Sequence, residues 1–211
     1  MKYLFSILIL LISLSSYGQA SKQIFEAPNY KTEIKEHKII AILPLRVTIS
    51  YKKMPKGFDA EGNRLEEIKQ GLGMQEGMYT FILRKSNDFT VTCQDVETTN
   101  ILLKKAGVYD KLDETLKDTI CKILKVDAVI GATYAYEKTA SEAGAIAKSL
   151  IFGGFGGSVA SGLLTMHIYN GKDGKLLWRF SKEMNEGAFS SANEMVERMM
   201  RKVTRNFPYE K

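Results

Sequence analysis

The chain has few of the residues that most often carry redox or metal chemistry. Its 211 residues include only two cysteines and two histidines. Cys93 and Cys121 lie too far apart in sequence for a redox C-x-x-C pair. Neither His37 nor His167 has a cysteine, a histidine or a paired carboxylate at ligand spacing. We therefore expect no metal and no cofactor, and we interpret His37 as a surface residue and His167 as a residue on one face of a sheet.

The motifs of common hydrolases and nucleotide-binding proteins are also missing. No G-x-S-x-G occurs, and the glycines of residues 153–157 are not followed by the Gly-Lys-Ser/Thr of a phosphate-binding loop. Gly71 and Gly73 begin like a dinucleotide fingerprint, but the third glycine, Gly77, comes one position late and inside a helix pattern. The sequence therefore predicts a protein that is not an enzyme.

The first residues have the pattern of a cleavable export signal. Lys2 supplies a positive charge, Tyr3–Leu14 is almost continuously apolar, and Ser16 and Gly18 satisfy the small-x-small rule of signal peptidases. The apolar run is shorter than the ~20 residues of a membrane-spanning helix. We expect a signal peptide over residues 1–18 and a location in the periplasm or at the periphery of the outer membrane. No cysteine stands near the cut, so we expect no lipid anchor.

Charge and cysteine content add two expectations. Thirty Lys and Arg residues against 24 Asp and Glu residues give a net charge of +6. This balance is modest and evenly spread, so we expect no nucleic-acid partner. Export makes a Cys93–Cys121 disulfide chemically feasible. No pattern brings their Cα atoms within about 7 Å, however, and we predict free thiols that act as small hydrophobic side chains.

Strand and helix patterns alternate along the rest of the chain. Residues 19–36 are interpreted as a flexible leader, and residues 37–211 as a single domain. The patterns predict strands at Lys38–Tyr51, Phe89–Thr92 and Val126–Tyr136, a hairpin at Leu163–Phe180, and helices near residues 65–83, 96–105, 112–124 and 191–207. The order β-α-β-α-α-β-insert-β-β-α predicts an α/β fold with a mixed sheet.

Four single residues have predicted roles. Pro44 cannot donate to a strand ladder and marks an edge or a bulge in the first strand. Asp95 is expected to cap the helix over residues 96–105, which Gly107 would end. Trp178 lies on the apolar face of the hairpin and is expected to be buried.

A glycine-rich insert over residues 141–162 leaves two interpretations open. Lys148 is the only charge between Ala143 and Leu164, yet the glycines are too dense for a spanning helix and the stretch does not alternate like a lipid-facing strand. It is either a helix over Ala143–Phe152 followed by a glycine link, or an apolar element offered to a membrane or a partner. In the second case the candidate contacts are Ile146, Leu150, Ile151, Phe152 and Phe155.

Four motifs in order resemble the CsgG/LpoB-like and TolB N-terminal-like group of bacterial envelope proteins. They span most of the chain after the leader. They are the apolar strand Ile39–Leu45, the helix and short strand Met78–Val91, the "Val-Asp-Ala-Val-Ile-Gly" strand Val126–Gly131 within Lys122–Thr139, and the hairpin motif Asp173–Trp178.

The resemblance implies a three-layer α/β/α domain and a non-catalytic protein that binds an envelope protein in assembly or secretion. It leaves the partner and the oligomeric state open. An alternative is a subunit of a CsgG-like outer-membrane export pore, although no convincing pair of membrane strands occurs. A small-ligand-binding protein is a further alternative, which a deep polar pocket would favour.

The export signal can be tested by mass. Protein recovered from the envelope fraction should lack about the first 18 residues, because signal peptidase cuts after the small-x-small site. Intact-mass spectrometry measures this directly. Recovery of a chain that still begins at Met1 would show that the segment is not cleaved.

Overall fold

The computed structural model describes residues 22–138, 159–184 and 192–211. The predicted signal peptide lies outside these residues. So do the five candidate contacts of the insert, Ile146, Leu150, Ile151, Phe152 and Phe155. Among the described residues, no helix combines the length and the apolar character needed to span a bilayer.

The described residues form one mixed sheet with helices packed on it. Its strands are β1 (Gln23–Glu26), β2 (Ile39–Ile42), β3 (Arg46–Tyr51), β4 (Thr92–Cys93), β5 (Ala128–Lys138), β6 (Val159–Asn170) and β7 (Leu176–Met184). The α-helices are α1 (Tyr30–Glu36), α2 (Ala60–Arg84), α3 (Val96–Lys105), α4 (Lys117–Leu124) and α5 (Ala192–Thr204).

The strand order is β1-β7-β6-β5-β2-β4, and β3 also pairs with β5. β2, β3 and β4 run parallel to their neighbours, whereas β1, β6 and β7 pair antiparallel. The predicted α/β class with a mixed sheet is confirmed.

Pro44 divides the predicted strand Lys38–Tyr51 into two. β2 pairs with residues 128–130 of β5, and β3 pairs with residues 133–138 of the same strand. Both pieces therefore follow one side of β5, with an interruption where proline has no N–H to donate.

The prediction of a flexible leader over residues 19–36 is wrong for its described part. Residues 23–26 pair antiparallel with β7, which places Ile24 opposite Phe180, and residues 30–36 form α1 with Ile34 buried. These short elements gain their order from tertiary contacts, which local periodicity does not reveal.

The predicted insert also ends too late, because its residues 159–162 belong to β6. Gly162 is a packing glycine and not a linker glycine. A β-carbon at this position would collide with the ring of Tyr134.

Two apolar clusters lie on opposite faces of the sheet and make the domain three-layered. On the first face, α2 and α5 pack on the side chains of alternate positions, such as Ile40, Ile42 and Ile130. On the second face, α3 and α4 pack on the positions between them, Ala41, Leu43 and Val129. This is the alternation expected of strands buried on both faces.

The individual predictions for capping and for thiols are confirmed. The Asp95 carboxylate accepts a hydrogen bond of 2.8 Å from Thr98 N and caps α3, and Gly107 follows with a φ of +70°.

Cys93 and Cys121 are both free. Burial raises the pKa of each thiol to about 12, so both are unreactive at neutral pH. Leu116 falls within the predicted helix over residues 112–124, but it precedes α4 and is exposed.

His37 is buried, which corrects its interpretation as a surface residue. Its Nε2–H donates to Asn170 Oδ1 over 3.4 Å, which leaves Nδ1 to accept from the Tyr209 hydroxyl over 2.7 Å. Burial lowers the pKa of His37, against the opposing effects of Asn170 and of nearby carboxylates. The neutral ring thus joins the start of β2, the β6–β7 turn and the residues that follow α5.

Gly71 sits where α2 crosses the break between β2 and β3. A β-carbon there would collide with the Leu45 carbonyl oxygen, which belongs to the backbone and cannot move aside cheaply. Gly71→Ala should therefore lower the free energy of unfolding by about 1–3 kcal/mol, although alanine favours a helix by up to ~1 kcal/mol.

Chemical denaturation measures this effect, and Gly77→Ala in the same helix is the matched control. A β-carbon at Gly77 would lie 3.1 Å from the Val196 side chain, a much milder approach than the one to the Leu45 oxygen, so the control should cost less. A Gly71→Ala variant as stable as the parent would contradict the close approach.

Trp178 is fully buried, as predicted, with Phe180 and Phe207 rings about it at centroid distances of 5.9 and 6.0 Å. Trp178→Ala should cost roughly 3–5 kcal/mol because it empties a core aromatic site. Trp178→Phe is the control: it keeps most of the ring and removes an indole N–H that has no partner among the described residues. Equal denaturation midpoints for the parent and Trp178→Ala would refute the core role.

Candidate functional site

The described helices cover only part of the second face of the sheet. The cluster beneath α3 and α4 reaches Val129 on β5 and Tyr169 on β6 and ends there. Further along β5 the side chains of Thr133 and Ala135 point from the same face and are exposed. The second face is thus half core and half surface.

The uncovered part, called here the open face, consists of cross-strand rows fixed by the register. Its exposed members are Gln23 and Phe25 on β1, Arg46, Thr48 and Ser50 on β3, Thr133 and Ala135 on β5, Leu163 on β6, and Arg179 and Glu183 on β7.

Polar and small residues make up most of the open face, with two large apolar exceptions. Phe25 is 48% exposed and Leu163 is 44% exposed. Phe25 lies opposite Arg179, and Leu163 lies opposite Ala135 and Glu183. Between them, Thr165 and Ser181 are buried and share a hydrogen bond of 3.2 Å. This polar surface with isolated apolar side chains has the mixed composition of a non-obligate protein interface.

A cavity of about 400 Å³ opens where the open face meets the covered half. The Pro44 break, the turn around residues 109–113 and the amino-terminal half of α2 form its walls, and His167 and Tyr169 of β6 contribute to its lining. Its volume falls within the range of small-molecule sites.

The charged groups around this cavity are largely bound by the chain itself. Arg46 forms an ion pair with Asp113, and Arg64 binds Glu61 through two hydrogen bonds of 2.8 and 2.9 Å. Glu67 accepts from Ile49 N over 2.8 Å.

Lys117 is held in the same way. Its ammonium donates to the carbonyl oxygens of Leu112 and Thr115. Burial, and then the nearby charge of Arg46, lowers the pKa of Lys117. Such engaged groups are poorly placed to capture a charged ligand.

His167 lies on the sheet face, as predicted, at the border of the open face. Its ring stacks on Tyr169 with centroids 5.7 Å apart, and it lies opposite Arg179 on β7. Burial, and then the charge of Arg179, lowers the pKa of His167, so the ring is neutral at pH 7. A neutral imidazole offers one donor and one acceptor to a bound partner.

A second depression, of about 210 Å³, lies at the other end of the open face. Ser50, Ala135, Gly162, Leu163 and Glu183 contribute to its lining. Leu163 therefore stands at the edge of a concavity, and the open face carries a hollow at each end. In the described ranges, no group of three or more His, Cys, Asp or Glu side chains is arranged to hold a metal ion.

The sequence did not single out this surface. The candidate contacts from Ile146 to Phe155 lie outside the described residues, so the structure neither gathers nor separates them. Alternation along β6 placed His167 with Thr165 and Tyr169 on one face, and this signal was correct. Whether a helix covers that face depends on packing, which the sequence pattern does not specify.

Comparison with known proteins adds distant similarities. No protein-family model matches the chain, and no curated protein matches it. Among solved structures, it is similar to lipoprotein GNA1162 from Neisseria meningitidis, with 13% identity and a TM-score of 0.49, over 80% of this chain and 96% of the other.

Two further structures are similar at lower scores. The PelC dodecamer from Paraburkholderia phytofirmans has 11% identity and a TM-score of 0.44, covering 92% of this chain and 100% of the other. The LpoB C-terminal domain from Salmonella enterica has 10% identity and a TM-score of 0.36, covering 71% and 84%. These values assign no partner or role, and we base the function on the geometry of the open face.

Proposed function

We propose that this chain is an exported, non-catalytic cell-envelope protein whose open face binds a partner protein during envelope assembly or secretion. The observation that carries the proposal is the uncovered face itself. β3 and β5 pair in parallel, and parallel strands are usually covered on both faces. Here no described element covers one face of that pair, and the same face of the sheet carries Leu163 on the neighbouring β6 and Phe25 on the edge strand β1.

The shape and charge of the open face favour a protein over a small molecule. The surface extends across β1, β7, β6, β5 and β3, far beyond a single cavity. Its charges are mixed, with Arg46 and Arg179 against Glu183, and two apolar side chains lie among them. Protein interfaces combine such apolar anchors with a polar rim.

Two features support the non-catalytic part of the proposal. Most ionic groups beside the larger cavity are held by partners within the chain. His167 contacts an aromatic ring and faces an arginine, and this pairing lacks the carboxylate that orients a catalytic histidine.

The insert supplies a second proposed contact. Ile146, Leu150, Ile151, Phe152 and Phe155 would add apolar area to the interface or touch the membrane. The Phe152→Ser and Phe155→Ser double variant tests this contact separately from the open face.

Site-specific photo-cross-linking tests the open face. A photo-reactive amino acid at Leu163 should give one discrete adduct with an envelope protein in intact cells, because a partner seated on the open face would cover this side chain. The matched control is the same amino acid at Leu116, which is exposed and apolar but lies beside α4.

A double substitution tests the affinity of the open face for the captured protein. Phe25→Thr with Leu163→Thr keeps the preference for strands and removes both apolar anchors, so the affinity for the captured protein should fall roughly tenfold or more. Ile101→Gln with Leu116→Gln should leave the affinity unchanged. Equal adducts at positions 163 and 116, or unchanged affinity in the threonine variant, would refute the open face as the binding surface.

A further inference from the structure

The loop between β3 and α2 presents a cluster of lysines around an exposed methionine. Residues 52–58 read Lys-Lys-Met-Pro-Lys-Gly-Phe and contain no acidic residue. The three lysines are exposed, Met54 is 60% exposed, and Phe58 is 37% exposed. Met54 is thus an exposed apolar side chain, with Lys53 directly before it and Lys56 two residues after it.

Contacts at its base hold this loop in shape. The rings of Tyr51 and Phe58 meet edge to face with centroids 5.5 Å apart and close the loop. The Tyr51 hydroxyl donates to Asn63 Oδ1 over 2.8 Å, which ties the base to α2. Gly57 adopts a φ of +72° and turns the chain back toward Phe58. The tip therefore projects from a fixed base.

The lysines of the tip, Lys52, Lys53 and Lys56, form no ion pair with any other residue that the structure describes. The nearest acids along the chain are engaged elsewhere: Asp59 caps α2 by accepting from Glu61 N, and Glu61 binds Arg64. Three cations with no ion-pair partner in the described part of the chain thus lie within five consecutive residues.

We propose that the loop of residues 52–58 docks on an anionic phospholipid surface, with Met54 entering the headgroup region and the lysines contacting lipid phosphates. Lysines near an anionic bilayer each strengthen binding about fivefold. Their aliphatic stems can lie along the apolar boundary while the ammonium groups stay in water. An exposed apolar side chain among lysines is the composition of interfacial membrane contacts.

The residue types favour lipid over an acidic protein. Protein interfaces are enriched in arginine and depleted in lysine, and this loop has lysine alone. The loop also follows the carboxyl end of β3, at the end of the sheet where β5 reaches Lys138. The loop borders the open face at Ser50 but uses none of its residues, and the lipid contact goes beyond the proposed partner binding.

Vesicle co-sedimentation tests the proposal with the full chain, exported and purified in the same way for each variant. The probes are vesicles of phosphatidylcholine alone and of equal parts phosphatidylcholine and phosphatidylglycerol. Lys52→Gln, Lys53→Gln and Lys56→Gln together should weaken binding to the anionic vesicles roughly 100-fold. Met54→Ser alone should weaken it about fivefold.

The matched control changes three exposed lysines at the opposite end of the sheet: Lys31→Gln and Lys35→Gln on α1, and Lys172→Gln in the β6–β7 turn. β5 separates the two ends by 11 residues, or about 36 Å. The control removes the same charge and should bind within about threefold of the parent. Thermal melting of every variant verifies that the fold is intact.

Three results would overturn the proposal. The first is equal binding of the parent to neutral and anionic vesicles, and the second is equal loss of binding in the loop and control variants. The third is unchanged vesicle binding of the loop variant together with loss of its Leu163 adduct, which would assign the lysines to the protein partner. Loss of vesicle binding with the adduct retained supports the lipid contact independently of the open face.

Discussion

β5 is the strand on which the rest of the domain depends. It is the only described strand that pairs with three others: β6 along its whole length on one side, and β2 and β3 in succession on the other. Its alternate side chains enter opposite clusters, so Ile130 and Tyr134 pack beneath α2 and α5 while Val129 packs beneath α3 and α4. One backbone register therefore positions both layers of helices. A one-residue slip in that register would move the side chains of each face to the opposite face of the sheet.

The elements with long periodic patterns could be predicted from the sequence. β5, the β6–β7 hairpin, α2 and the capped α3 all follow from apolar spacing and turn residues. β1 could not, because four residues carry too little pattern and its order comes from pairing with β7. The burial of His37 was also hidden, since it depends on Tyr209, 172 positions away. Single-sequence patterns say which residues share a face, but not what covers it.

The same limit applies to the candidate site. Alternation placed His167 correctly, yet nothing in the sequence says that α3 and α4 stop at Val129 and Tyr169. The open face exists because α4 is only eight residues long, whereas β5 has 11 residues and β6 has 12. A helix rises about 1.5 Å per residue and a strand about 3.3 Å, so α4 spans about 12 Å beside strands of roughly 36 Å. Because of this mismatch in length, none of the described helices covers the far half of this face.

The buried contact of His37 with Tyr209 has a consequence for the biogenesis of the protein. Phe207 and Tyr209 fill the first-face core beside Trp178 and Phe180, so a nascent chain that has not yet reached them has a gap in its centre. Large buried aromatic side chains contribute several kcal/mol each, comparable to the whole stability of a domain. A chain without Phe207 and Tyr209 should therefore not close its core. If residues 1–18 act as the predicted export signal, this dependence would keep the polypeptide unfolded for passage through a translocation channel until the segment around Tyr209 has been made.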